Sequence, residues 1–73
     1  MNNVAAAIER SLRQNEIVTI DYSDEAEAEL LAACDDSAES SYDRGPDSPP
    51  GTLTEYWGSD RDGDAWRVHM RSE

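Results

Sequence analysis

The sequence predicts a small α+β domain in the order αβαββ, with a three-stranded antiparallel sheet carrying two helices on one face. Three observations predict it. Apolar residues recur at helical spacing in two segments, residues 3–14 and 24–35. Residues 16–22 are rich in β-branched side chains that alternate with polar ones. Two aromatic segments, residues 52–58 and 64–71, flank an Asp62-Gly63 turn signal. Seventy-three residues make one domain, close to the lower limit for folding without a staple. With one cysteine, Cys34, there is no internal disulfide, and no Cys/His cluster offers a structural metal.

The first helix follows from Val4, Ile8 and Leu12, which fall on one stripe, with Asn2 or Asn3 as cap and Asn15 as stop. In the strand over 16–22, Val18, Ile20 and Tyr22 share one face. Ser23 or Asp24 then caps the helix over 24–35, whose inner side gathers Ala26, Leu30, Ala33 and Cys34. Asp24, Glu25, Glu29, Asp35 and Asp36 fall opposite, and Leu31 borders that charged face. Residues 36–51, with their serines, prolines and glycines, read as a loop in which Tyr42 is the anchor. In the hairpin over 52–71, a two-residue Asp62-Gly63 turn pairs Trp57 with Val68. It sends Leu53, Trp57, Trp66, Val68 and Met70 to the core, and Tyr56, Arg67, His69 and Arg71 to the other face.

Charge is distributed unevenly. The net charge is −11, and residues 21–47 hold ten carboxylates against Arg44 alone. The first 20 residues are neutral, and those from Thr52 onward sum to −2. This balance disfavours binding to phosphate backbones and favours a basic partner. Four carboxylates in residues 24–29 amount to one per ~2 Å of helix rise, comparable with the one per ~1.7 Å of duplex DNA. Residues 1–12 have the pattern of neither a signal peptide nor a membrane span, so the expected location is a reducing cytoplasm.

Catalytic chemistry finds little support. His69, the single histidine, has no orienting carboxylate among its expected neighbours, and Cys34 lies on the apolar side of its helix without a basic setting. Asp60, Asp62 and Asp64 resemble a calcium loop, but the position twelve places on is Arg71 rather than Glu, so a hairpin turn is expected. No phosphate-binding loop, nucleophile elbow or metal triad is present. The expectation is a protein with no enzymatic activity and no cofactor.

A tiny acidic αβαββ chain with EIVTIDYSDEAEAELLAACDD and the tail GTLTEYWGSDRDGDAWRVHMR resembles the small anti-CRISPR proteins of phages and mobile elements. Within them it looks most like inhibitors of a type I surveillance complex (Cascade), type I-C in particular. The resemblance implies a non-enzymatic inhibitor, monomeric and acting in the bacterial host cytoplasm. Such an inhibitor occupies the positively charged site where Cascade first engages target DNA, on its large, PAM-reading subunit. The family supplies no motif residues. On charge and expected geometry, the partner-binding residues are Asp24, Glu25, Glu29, Leu31, Asp35, Asp36, Glu39, Tyr42 and Asp43. The alternative is a small regulatory or antitoxin-like interaction module that binds through the aromatic hairpin at Tyr56, Arg67 or His69.

Overall fold

Residues 3–72 are described by a computed structural model that orders the chain as α1 (Asn3–Gln14), β1 (Val18–Asp21), α2 (Asp24–Ala33), β2 (Asp36–Tyr42), β3 (Gly51–Ser59) and β4 (Ala65–Ser72). The α+β class and the two helices agree with expectation. The sheet differs: it has four strands in the order β1-β4-β3-β2, and it is mixed. β2, β3 and β4 run antiparallel to their neighbours, whereas β1 lies parallel to β4. β1, α2 and β2 thus form a crossover between two parallel edge strands, with the β3–β4 hairpin inserted between them. From Asp21 to Asp36 the chain must move across three interstrand spacings, about 14 Å, and back along the strands by about 13 Å. A ten-residue helix rising about 15 Å, with its short links, spans that diagonal.

The fourth strand was hidden because DSAESSY contains one strong β-former, Tyr42. Its pairing is supplied by β3, residue for residue from Asp36↔Trp57 to Tyr42↔Gly51. The expected 16-residue loop shrinks to residues 43–50, where the Asp43 carboxylate accepts from the Gly45 N–H at 2.9 Å.

The β3–β4 hairpin is also shifted by one residue from the expected register. Asp60 N–H donates to the Asp64 carbonyl at 3.0 Å, which leaves three loop residues. Gly63 sits at φ +85° and Asp62 does not adopt positive φ, so the type I′ turn, which needs both, is not formed. The Asp60 carboxylate accepts from the N–H groups of Asp62 and Asp64, both at 2.9 Å, which explains the alternating aspartates as turn chemistry. One residue of slip exchanges the faces of one strand against the other. Tyr56 therefore pairs with Val68 and is buried, whereas Trp57 pairs with Arg67 on the opposite face and is half-buried, as is Leu53.

Both helices pack on the face that carries Tyr56, Trp66, Val68 and Met70, joined by Val4 and Ala7 from α1 and by Ala26 and Leu30 from α2. Ile8 and Leu12 pack at the border, as do Val18, Ile20 and Cys34, but Ala33 is exposed. Asn2, one candidate cap of α1, lies outside the described residues. Asn15 ends the helix in the left-handed region at φ +52°, and Glu16 N–H reaches back to the Ser11 carbonyl at 3.3 Å. Ser11 is the buried polar residue of the core. Its hydroxyl donates to the Glu16 carbonyl at 2.8 Å and accepts from the Arg67 N–H at 2.9 Å, tying α1 to the end of β4 that β1 leaves uncovered.

Candidate partner-binding surface

The acidic surface begins with how α2 is held. Ser23 caps it, its hydroxyl accepting from the Ala26 N–H at 3.1 Å. Asp24, Glu25 and Glu27 occupy the first turn, where unsatisfied N–H groups favour carboxylates by about 0.3–1 kcal/mol each. Ala26 and Leu30 are buried beneath, so the outward side is fixed in orientation. That side presents Asp24, Glu25, Glu29 and Leu31, the last 55% exposed.

The remaining expected residues lie beyond the helix, which ends at Ala33 and not at residue 35. The Cys34 N–H closes the last turn on the Leu30 carbonyl at 2.8 Å. Burial raises the thiol pKa of Cys34, with the charges of Asp36 and Asp35 adding to the effect. Asp35 is fastened to β3: its N–H donates to the Trp57 carbonyl at 2.8 Å and its carboxylate accepts from the Ser59 hydroxyl at 3.4 Å. Along β2, Glu39 pairs with Thr54 on the helix side, while Asp36 pairs with Trp57 and Tyr42 with Gly51 on the helix-free side. Asp43 follows just past the strand.

The nine residues are thus brought together in part. Asp24, Glu25, Glu29, Leu31 and Glu39 belong to the helix side of the sheet. Asp36 and Tyr42 belong to the other face, and Asp35 and Asp43 flank the two ends of β2. Glu25 and Glu29 border the groove over β1, at the opposite edge of the sheet from β2, so the set is divided between the two edges of the sheet as well as its two faces. Tyr42 is explained by packing: a Cβ at Gly51 would collide with its ring, so the ring rests on glycine backbone. Glu27, one of the four carboxylates of residues 24–29, is not among the nine because the helical wheel sets it next to the inner side, away from the outward arc. It is half-buried near Tyr56, whose hydroxyl pKa is pushed up first by burial and then by the charges of Glu27, Cys34 and Glu39.

Three of the six arginines pair with other carboxylates. Arg13 pairs with Glu9, Arg10 with Glu16 at 3.4 Å and Arg71 with Asp21 at 3.2 Å. Among the described residues, Asp24, Glu25, Glu27, Glu29, Asp35, Asp36 and Glu39 form no ion pair.

Tyr22 senses this field directly. Its hydroxyl donates to an Asp24 carboxylate oxygen at 2.6 Å. That bond, with the charges of Asp24 and Glu27, raises its pKa to about 12. A folded-state value above the ordinary 10 means that the interaction supports folding below pH ~10 and is lost as pH rises toward 12. In a tyrosinate absorbance titration, Asp24→Asn is expected to bring the Tyr22 midpoint down toward 10. An unchanged midpoint would show that the bond is absent in solution.

The helix-free face has a different character. Leu53 and Trp57 lie beside Arg67, Arg71 and His69, whose imidazole Nε2 is 2.7 Å from the Glu55 carboxylate. Sequence reasoning gave His69 no carboxylate neighbour; the register shift supplies one. Among the described residues, no group of three His, Cys, Asp or Glu side chains is placed to hold a metal ion, and no helix is long and apolar enough to cross a membrane. No protein-family model, curated protein or solved structure matches the chain.

Proposed function

We propose that this protein is a non-enzymatic inhibitor that acts as a DNA mimic. Its acidic surface occupies a positively charged DNA-binding site, the PAM-recognition surface of the large subunit of a type I-C Cascade complex in the bacterial host cytoplasm. The observation that carries the reading is a set of seven carboxylates that form no ion pair among the described residues: Asp24, Glu25, Glu27 and Glu29 on α2, whose buried side fixes their positions, and Asp35, Asp36 and Glu39 on the segment that follows it. Carboxylates held in this way present a preformed negative field, and such fields speed encounter with a basic groove. Three of the α2 carboxylates, Asp24, Glu25 and Glu27, lie in the first turn, where the helix N-terminus favours negative charge. The protein acts as a monomer.

The test is a titration of the monomeric protein against purified type I-C Cascade at several ionic strengths, with PAM-containing duplex DNA as competitor. Affinity is expected to fall at least ten-fold between about 50 and 200 mM salt, and the duplex is expected to displace the protein. Salt-independent binding, or a ternary complex with the duplex, would refute mimicry.

A second reading draws on the half-buried Trp57 and Leu53 beside exposed Arg67 on the helix-free face. It describes a regulatory or antitoxin-like module that uses the hairpin. Tyr56 cannot contribute there, because it is 2% exposed on the helix side. This reading requires binding to be lost on Trp57 substitution and retained after charge reversal on α2.

A further inference from the structure

Between α1, α2 and the outer edge of β1 runs an open groove of about 600 Å³. It exists because the helices face each other there through small side chains, Ala6 and Ala7 on α1 and Ala26 on α2, which cannot fill the space above β1. Val18 and Ile20 consequently remain half-buried as an apolar floor. All four residues of β1 line the groove, and among the described residues the far edge of that strand carries no neighbour in the sheet.

The rim is charged, and its charges are not equivalent. Arg10, Asp21 and Arg71 border the groove, but Arg10 is paired with Glu16 at 3.4 Å and Arg71 with Asp21 at 3.2 Å. Glu25 and Glu29, one turn apart on the α2 wall, form no ion pair among the described residues. The groove therefore combines an apolar floor with two uncompensated carboxylates at its lip. Aliphatic side chains suit the floor, and arginine or lysine suits the lip, because each has an apolar stem under a cationic head.

We infer that this groove seats an extended segment of the protein partner in which aliphatic and cationic residues alternate, the aliphatic ones resting on Val18, Ile20 and Ala26 and the cationic ones meeting Glu25 and Glu29. Alternation fits because successive side chains of an extended chain point to opposite sides, one set down and one set up. This rests on the reading that the acidic surface meets a basic partner, and it adds that part of the contact is apolar and sequence-selective. A surface that mimicked phosphates alone would need no floor.

The experiment is a ¹⁵N–¹H correlation titration of the whole chain with three acetylated, amidated hexapeptides: alternating Leu-Arg, alternating Ser-Arg and alternating Leu-Glu. The Leu-Arg peptide is expected to shift the amides of Ala6, Val18, Ile20 and Ala26 saturably, at least ten-fold more tightly than Ser-Arg, with no response to Leu-Glu. Ala6→Trp, at an exposed position on the groove wall, fills the space without altering charge and is expected to abolish the Leu-Arg response. Equal binding of Ser-Arg and Leu-Arg, shifts confined to β2, or an unchanged response in a folded Ala6→Trp variant would each overturn the groove. None of these outcomes touches the DNA-mimic reading, which stands or falls on the salt and competition titration with Cascade.

Discussion

Leu30→Ala should remove a large part of the stability of this domain, about 2–5 kcal/mol. Leu30 is 0% exposed and is the one large apolar side chain that α2 buries; its companion Ala26 is small. Deleting a buried leucine side chain costs about 2–5 kcal/mol, through lost transfer energy and the cavity left behind. A chain of 73 residues has about 4–11 kcal/mol in total, at ~0.05–0.15 kcal/mol per residue. Urea unfolding monitored by tryptophan fluorescence measures the loss. The control is its neighbour: Leu31→Ala, at a 55% exposed position, should change stability by no more than about 0.5 kcal/mol. Equal losses at the two positions would mean that α2 docks with a different face, and the carboxylates would then point elsewhere too.

That coupling explains how much of the molecule could be read from its sequence. The two helices were legible because a period of 3.6 with Val4 and Leu30 on inner faces has few competing interpretations, and the Ser23 cap and the Asn15 stop agree with it locally. β2 was illegible because nothing in Ser37, Ala38, Ser40 and Ser41 favours an extended chain; the strand exists because β3 offers a ladder, which is a tertiary fact. The place of β1 was open for the same reason, since either hairpin strand could have accepted it. Its parallel pairing with β4 follows once α2 must cross to the opposite edge.

The hairpin register hinged on one glycine. Asp62-Gly63 signals a turn, but both a two-residue and a three-residue loop use a glycine there, and only the backbone distinguishes them. The choice moved Tyr56 into the core and gave His69 its Glu55 partner. Exposure of the acidic residues was easier to foresee, because unpaired carboxylates stay in water. Their division between the two sides of β2 was not, and neither was the groove behind Glu25 and Glu29, which depends on how far small alanines leave α1 from α2.

Reversing Glu25, Glu29 and Glu39 to lysine should abolish partner binding while leaving the domain folded. The three share the helix side of the sheet, are exposed and form no ion pair among the described residues, so no buried group loses a partner. The main structural cost is at Glu25, in the first turn of α2, where a cation replaces a favourable anion; about 0.3–1 kcal/mol of helix stabilisation is lost and some repulsion added. Net charge changes from −11 by +6 to −5, so the protein as a whole stays acidic and soluble. Locally the field changes sign, and steering that contributes about 10–10³ in association rate becomes repulsion. An affinity loss of at least 100-fold for type I-C Cascade is expected, together with loss of the salt dependence. The decisive comparison is a second variant of the same net charge, with Glu9, Asp47 and Asp62 reversed instead, positions on α1 and the two loops. If that variant is impaired equally, binding follows total charge and no mimicry is involved. If it binds within about three-fold of the parent, the placement of the carboxylates by Leu30 and by the β3 ladder is what the partner recognises.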